Sequence, residues 1–403
     1  MFAVILTVGL AAAMRVAPTE GAALGVSIPR LEMVGPGRIE IDLAISGFQS
    51  GLHPALEGTI TVGRHVIQAP LGPAVAAYLP GVLDLPAGTA RLGGVAIFHF
   101  TPIPPLAENT QIAVEVTVRQ ESGVATARRT LMLPLPTVIV PGYLNDLGAE
   151  PDAEVVSALE RRGYRATGAS PTVFWFTYPS RRFGLADGAK ALAAYVRRSV
   201  LPYIYAARIN VVGYSEGGLL ARWNLVFDPD WAHLVNSLAM VGVPNQGATG
   251  SYFYGWYPAL ASLAATPASR DMLPTYPFWR PESGAPWTTP EGGRNSSLEL
   301  LNAQPLPEDV RIYAFYSSAR RATWVGMTGS LPQVSFSYGP GDGIVLEASV
   351  LGLSINGGPA IPGLADRLIK VDLGDVHHLS LLRAAIPSIA DVLTGRWVDA
   401  SSP

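Results

Sequence analysis

The stretch "LPLPT", residues 133–137, separates two incompatible hydrophobic periodicities, and this break constrains the fold more than any other feature. Before it, apolar residues recur every second position. "RIEIDLAIS" sets Ile39, Ile41, Leu43 and Ile45 on one side against Glu40, Asp42, Ala44 and Ser46, and "QIAVEVTVRQ" repeats the pattern with Ile112, Val114, Val116 and Val118. Side chains of a strand alternate between two faces, so such runs with Pro- and Gly-bearing turns between them predict antiparallel strands. Further strand-like runs fall near 58–67, 94–100 and 124–133, and residues 26–133 are expected to form a small immunoglobulin-like β-sandwich. After the prolines, which cannot continue a central strand, short apolar runs alternate with amphipathic helical ones. "TVIV", "TVFWFTY", "RINVV", "VNSLAMVGV", "VRIYAFYSS" and "RLIKVDL" read as strands. "DAEVVSALERRG", "LADGAKALAAYVRRSVL", "SEGGLLARWNLVF" and "LSLLRAAIPSIADVLTG" read as helices. That alternation predicts an α/β domain over 134–397, a mostly parallel sheet with helices on both faces.

Composition narrows the function classes. A net charge of −3 and only two lysines, Lys190 and Lys370, with no basic cluster, speak against a nucleic-acid partner. The chain has no cysteine, which excludes disulfides, thiol catalysis and cysteine-ligated metals. The opening "MFAVILTVGLAAAM" is apolar but too short to span a bilayer, and residues 1–25 are expected to be a secretory signal and linker, although no basic residue precedes the apolar run. Export, to the medium or the cell surface, is the corresponding expectation.

Residues 244–300 interrupt the strand–helix alternation with a dense aromatic insert that includes Tyr252, Phe253, Tyr254, Trp256 and Tyr257. Two readings stand together: a local mini-core, and an apolar cap over a ligand site.

"INVVGYSEGG" places Ser215 in the spacing G-x-S-x-G, between a predicted strand and a predicted helix. A sharp strand-to-helix turn exposes a serine hydroxyl above the sheet, and glycines flanking it avoid collisions with nearby backbone. A serine needs a base, and the base an orienting acid. His377 and His378 in "GDVHHLSLL" lie between the last strand and the last helix, where a base projects over the carboxyl ends of the strands; the start of the apolar helix favours His378. His233 follows the serine too closely and reads as structural. Asp342 in "YGPGDGIV" is the candidate acid, with Asp372 and Asp375 as rivals. The oxyanion of an acyl-transfer intermediate needs backbone N–H donors. The residue after the nucleophile, Glu216, supplies one, and Tyr143, in the loop "VIVPGYLND" after the domain's first strand, supplies the other. The Glu216 carboxylate, in the first turn of a helix, is expected to point away from that oxyanion site.

The ordered patches "VIVPGYL", "VVGYSEGGLLARW", "VGVPNQGA", "GPGDGIV" and "HHLSLL", with "DMLPTYPFW" as a weaker sixth, resemble the α/β-hydrolase superfamily, in particular lipases and lecithin:cholesterol acyltransferase-like proteins. The resemblance spans about residues 137–385 and does not cover 1–133. It departs from the family at Tyr214, where histidine is common, and at Glu216, where methionine or glutamine is usual. It implies a Ser215–Asp342–His378 triad working through an acyl-enzyme, with a mobile cap over a lipid-binding cleft. Such a mechanism requires no cofactor or metal, and the sequence offers no convincing ligand cluster for one; Tyr214, Tyr252, Trp256 and His377 are the candidate substrate contacts. The implied substrate is a small-molecule or lipid ester, with contact to a membrane or lipid interface. Hydrolysis by a lipase or esterase leads the readings. Acyl transfer or phospholipase action, polyester depolymerisation, and a non-catalytic binding role on a hydrolase scaffold are the alternatives.

Overall fold

The computed structural model describes residues 25–35, 38–46, 55–62, 65–71, 82–83, 91–92, 95–99, 109–120, 123–144, 152–168, 171–203, 206–248, 266–276, 295–319, 325–328, 331–334 and 339–394. The chain divides into two compact units, one built mainly from residues 1–134 and the other mainly from 135–403.

The first unit contains β1 (Gly25–Gly35), β2 (Arg38–Ser46), β3 (Ala55–Val62), β4 (His65–Leu71), β5 (Val82–Leu83), β6 (Arg91–Leu92), β7 (Val95–His99), β8 (Thr110–Gln120) and β9 (Gly123–Leu133). They form antiparallel sheets in the orders β1-β2-β7, β4-β3-β8-β9 and β5-β6. The run near 58–67, which reads as one strand in sequence, is instead a hairpin whose arms β3 and β4 pair Val62 with His65. Two residues, Gly63 and Arg64, separate the paired arms in sequence. Within β8, Val114 and Val116 are buried, as the alternation predicts. Arg129 of β9 donates through Nη1 to the Ile28 carbonyl at 2.6 Å and also to that of Pro29.

The second unit contains a six-stranded parallel sheet built from β10 (Thr137–Val140), β11 (Val173–Trp175), β12 (Ile209–Tyr214), β13 (Val235–Val241), β14 (Arg311–Tyr316) and, after a separate hairpin of β15 (Val325–Thr328) and β16 (Leu331–Val334), β17 (Leu368–Asp372). The order is β11-β10-β12-β13-β14-β17. The helices are α1 (Ala153–Glu160), α2 (Leu185–Tyr195), α3 (Glu216–Phe227), α4 (Pro229–Leu234), α5 (Pro267–Asp271), α6 (Ser296–Asn302), α7 (Glu347–Leu351), α8 (Leu364–Arg367) and α9 (His378–Leu393).

Period-two alternation assigns the sheet's faces. Ile139, Val173, Val212, Ala239, Val241, Tyr313, Phe315 and Val371 pack with Val155 and Leu159 of α1 and with Leu381, Ala385, Ile386 and Ile389 of α9. The intervening Val138, Val140, Val211, Leu238, Met240 and Ala314 are also buried, and α3 lies against β10, β12 and β13. Both faces are therefore covered, which explains why these strands read as continuous apolar runs. Each fully buried aliphatic side chain contributes about 1.5–3 kcal/mol. Pro387 sits inside α9, where it removes an intrahelical hydrogen bond. It lies on the exposed face, so water can satisfy the carbonyl it leaves open.

Among the described residues, no helix is long and apolar enough to cross a membrane. Residues 249–265 and 277–294 of the aromatic insert, including Tyr252 and Trp256, lie outside the described residues. The flanking parts are tied to the unit's core. Asp271 accepts from the Leu185 N–H at 2.7 Å and from Ser297 Oγ at 2.7 Å, while Asn295 donates to the Asp271 carbonyl at 2.9 Å. "VPNQG" acts as a buried latch: Asn245 donates to the Val350 carbonyl at 2.6 Å and Gln246 to that of Leu353 at 2.9 Å.

Candidate active site

The strand β12 ends and α3 begins on Ser215, whose backbone is left-handed, with φ 53° and ψ −126°. A non-glycine residue in such a conformation costs about 1–3 kcal/mol and persists only where its surroundings hold it. Here the Ser215 N–H donates to the Val241 carbonyl at 2.9 Å and its carbonyl accepts from Gly218 at 3.1 Å. Glycine at 217 is obligatory for packing, because a Cβ there would stand 2.1 Å from the Val140 carbonyl oxygen. The turn thus lifts the serine hydroxyl at the carboxyl end of a central strand, as its spacing predicts.

His378 opens α9, 163 residues further along, and its Nε2 lies 3.0 Å from Ser215 Oγ. Its Nδ1 lies 2.6 Å from Asp342 Oδ2, and its backbone N–H donates to the Asp342 carbonyl at 2.9 Å. Asp342 is held in turn: its Oδ1 accepts from the N–H groups of Ile344 at 3.0 Å and Val345 at 2.8 Å. Ser215, Asp342 and His378 are all buried or nearly so, at 9%, 2% and 4% exposure, which removes competing water from the hydrogen-bonded chain.

The rival assignments fall elsewhere. His377 is the N-cap of α9, its Nδ1 accepting from Leu379 N–H at 3.4 Å. Asp372 Oδ1 accepts from Gly374 at 2.9 Å and Ser318 at 3.2 Å, closing the turn after β17. Asp342, rather than Asp372 or Asp375, carries the bond to His378. His233 is exposed on α4.

The loop after β10 lies against the serine because β10 and β12 are paired neighbours, Val140 beside Gly213. At Gly142 the approach is close enough that a Cβ would meet Ser215 Cβ at 2.8 Å. Tyr143 follows, its hydroxyl 2.8 Å from Thr266 Oγ1 at the cap of α5. Leu144 is left-handed at φ 67°, and its N–H donates to Ser180 Oγ at 3.0 Å. Nothing in the sequence around Ser180 signals this contact, since it depends on β11 lying beside β10. Glu216 is fully buried in the first turn of α3.

Tyr214 precedes the serine on the face of the sheet that α9 covers. Its ring centroid is 5.2 Å from that of His378, and its hydroxyl donates to the His378 carbonyl at 2.8 Å. It also lines a cleft of about 540 Å³ with Pro141, Gly142, Tyr143, Trp175 and Leu382, at whose rim Asp152 and Glu154 pair with Arg383. Trp175 and Leu382 are lining residues that the sequence patterns do not single out. Among the described residues, no three His, Cys, Asp or Glu side chains gather so as to hold a metal ion.

No family model and no curated protein sequence matches the chain. Among solved structures it is similar to a lipase of Bacillus licheniformis in its mature form, at 14% identity over 65% of this chain and 92% of that one, with a TM-score of 0.44. It is also similar to a metagenomic carboxyl esterase, at 18% identity over 78% and 83%, with a TM-score of 0.40. An esterase of Pyrococcus furiosus matches at 13% identity over 73% and 91%, with a TM-score of 0.33.

Proposed function

We propose that this chain, whose second unit has the α/β-hydrolase fold, is a serine carboxylic-ester hydrolase acting on esters with an apolar acyl limb. Ser215 Oγ attacks the ester carbonyl carbon while His378 Nε2 takes its proton. Asp342 holds the imidazole in the tautomer whose Nε2 is free to accept, and stabilises the imidazolium that forms. The negative charge on the carbonyl oxygen is met by the backbone N–H groups of Tyr143 and Glu216; loss of one such donor typically costs about 10²–10³-fold in turnover. His378 then returns the proton to the departing alkoxide, leaving an acyl-enzyme. Water, deprotonated by the same imidazole, releases the acid. Every step is supplied by side chains and backbone amides, so the mechanism needs no cofactor.

One observation carries the reading: the continuous chain from Ser215 Oγ through His378 to Asp342, at 3.0 Å and 2.6 Å. The apolar preference is supported by Trp175, Leu379 and Leu382 along the neighbouring cleft. The test is hydrolysis of p-nitrophenyl esters of increasing acyl length by purified wild type and Ser215→Ala. Wild-type turnover that rises with acyl length and is lost in Ser215→Ala is expected. Full activity in Ser215→Ala would overturn the mechanism, and a strict preference for acetate would overturn the substrate class.

A further inference from the structure

The nucleophile and the base belong to different elements, and a separation of 3.0 Å between Oγ and Nε2 demands that β12 and α9 keep a fixed register at their ends. Tyr214 is covalently joined to Ser215 and hydrogen-bonded to His378. We propose that Tyr214 is a positioning residue that sets the distance between Ser215 and His378, a role resting on the esterase reading above.

The geometry gives it two handholds. As the last residue of β12, Tyr214 lies on the face covered by α9, the face that also carries Val212. Its hydroxyl donates to the carbonyl of His378, the first residue of α9, at 2.8 Å. A carbonyl at that position accepts one bond from within the helix and has a second lone pair available, so the tyrosine bond adds to the helix without competing with it. Its ring lies across the imidazole, 5.2 Å between centroids and tilted by 31°. That contact opposes rotation of the imidazole out of the Ser215–Asp342 plane. Asp342 holds the same histidine at Nδ1 and at its backbone N–H. His378 is therefore restrained at its N–H, its carbonyl, one ring nitrogen and one ring face, which leaves Nε2 as the working atom.

Tyr214→Phe removes the hydroxyl handhold and keeps the ring, whereas Tyr214→Leu removes both. A net hydrogen bond corresponds to roughly a 3–10-fold change, and misplacing reacting groups by about 1 Å costs roughly 10²-fold. The expected result is a kcat per titrated site lower by about 3–10-fold for Tyr214→Phe and by about 10²-fold for Tyr214→Leu, with KM within twofold. Sites are titrated to completion with a fluorophosphonate, and its second-order labelling rate should fall in parallel, since labelling requires only attack by Ser215. A purely structural tyrosine would lower the titratable fraction or Tm and leave kcat per site unchanged. A substrate contact would place the loss in KM. Either of those patterns overturns the proposal. Wild-type turnover and labelling read the esterase assignment separately: if both are absent, that assignment fails, whereas normal wild-type behaviour with unchanged variants sinks the positioning role alone.

Discussion

Asp342→Asn is the substitution whose outcome the structure constrains most tightly. The Oδ1 atom of Asp342 accepts two backbone N–H groups, those of Ile344 at 3.0 Å and Val345 at 2.8 Å. An asparagine amide in the same place keeps its carbonyl oxygen there, because its NH₂ group cannot accept those bonds. The NH₂ group then falls at the position of Oδ2, 2.6 Å from His378 Nδ1. It donates to Nδ1, which forces the imidazole proton onto Nε2, the atom that must receive the Ser215 proton. The base is held in the wrong tautomer with almost no change in shape. Turnover should fall roughly 10⁴-fold, about 5 kcal/mol of transition-state stabilisation. Stability should change little, since the substitution is isosteric and all three hydrogen bonds survive in some form. The assay is kcat on a p-nitrophenyl ester alongside urea unfolding, with Asp372→Asn as the control. Asp372 closes a turn with its Oδ1 and an amide can do the same, so the control should stay within about threefold of wild type. If Asp342→Asn keeps more than about a tenth of wild-type kcat, or Asp372→Asn suffers the large loss, the tautomer argument is wrong.

Two further substitutions probe the surroundings of the site and the core. Ser180→Ala removes the acceptor for the N–H of left-handed Leu144, so the loop carrying Tyr143 should relax; kcat should fall about fivefold with KM unchanged, and affinity for a trifluoromethyl ketone should fall by the same factor. An unaltered kcat would mean that Leu144 is held by other contacts. Tyr164 is buried, and that burial pushes its phenol up to about 12 from 10.0. In the unfolded chain the phenol ionises first, so this group's contribution is present below pH 10 and is lost as pH rises towards 12. Tyr164→Phe should therefore gain on wild type by about 1 kcal/mol between pH 9 and pH 11 in urea unfolding. Parallel pH dependence in the two proteins would refute the assignment.

The second unit was legible wherever a long segment carried a strong period. All six strands of its parallel sheet and the four longest helices follow from apolar spacing, and the triad candidates follow from their places between those elements. The short helices α4 to α8 were not legible, because four to seven residues are too few to establish a helical period. They form through tertiary contacts instead: α5 is capped by Thr266, and Asp271 at its end binds Leu185 and Ser297. The choice between His377 and His378 shows the same limit. Adjacent residues at a helix start differ in direction by about 100°, and only the folded register of α9 against Asp342 turns one of them onto the serine. Tyr214 was singled out by its position before the serine, but its bond to the His378 carbonyl spans 164 residues and leaves no local mark.

The central claim is that Ser215 is a nucleophile activated by His378. Mass spectrometry of protein treated with a fluorophosphonate tests it directly. Stoichiometric phosphonylation of the peptide carrying Ser215 is predicted for wild type, with no adduct in Ser215→Ala and labelling slowed by several orders of magnitude in His378→Ala. An unlabelled wild type, an adduct on another residue, or undiminished labelling of Ser215 in His378→Ala would contradict it.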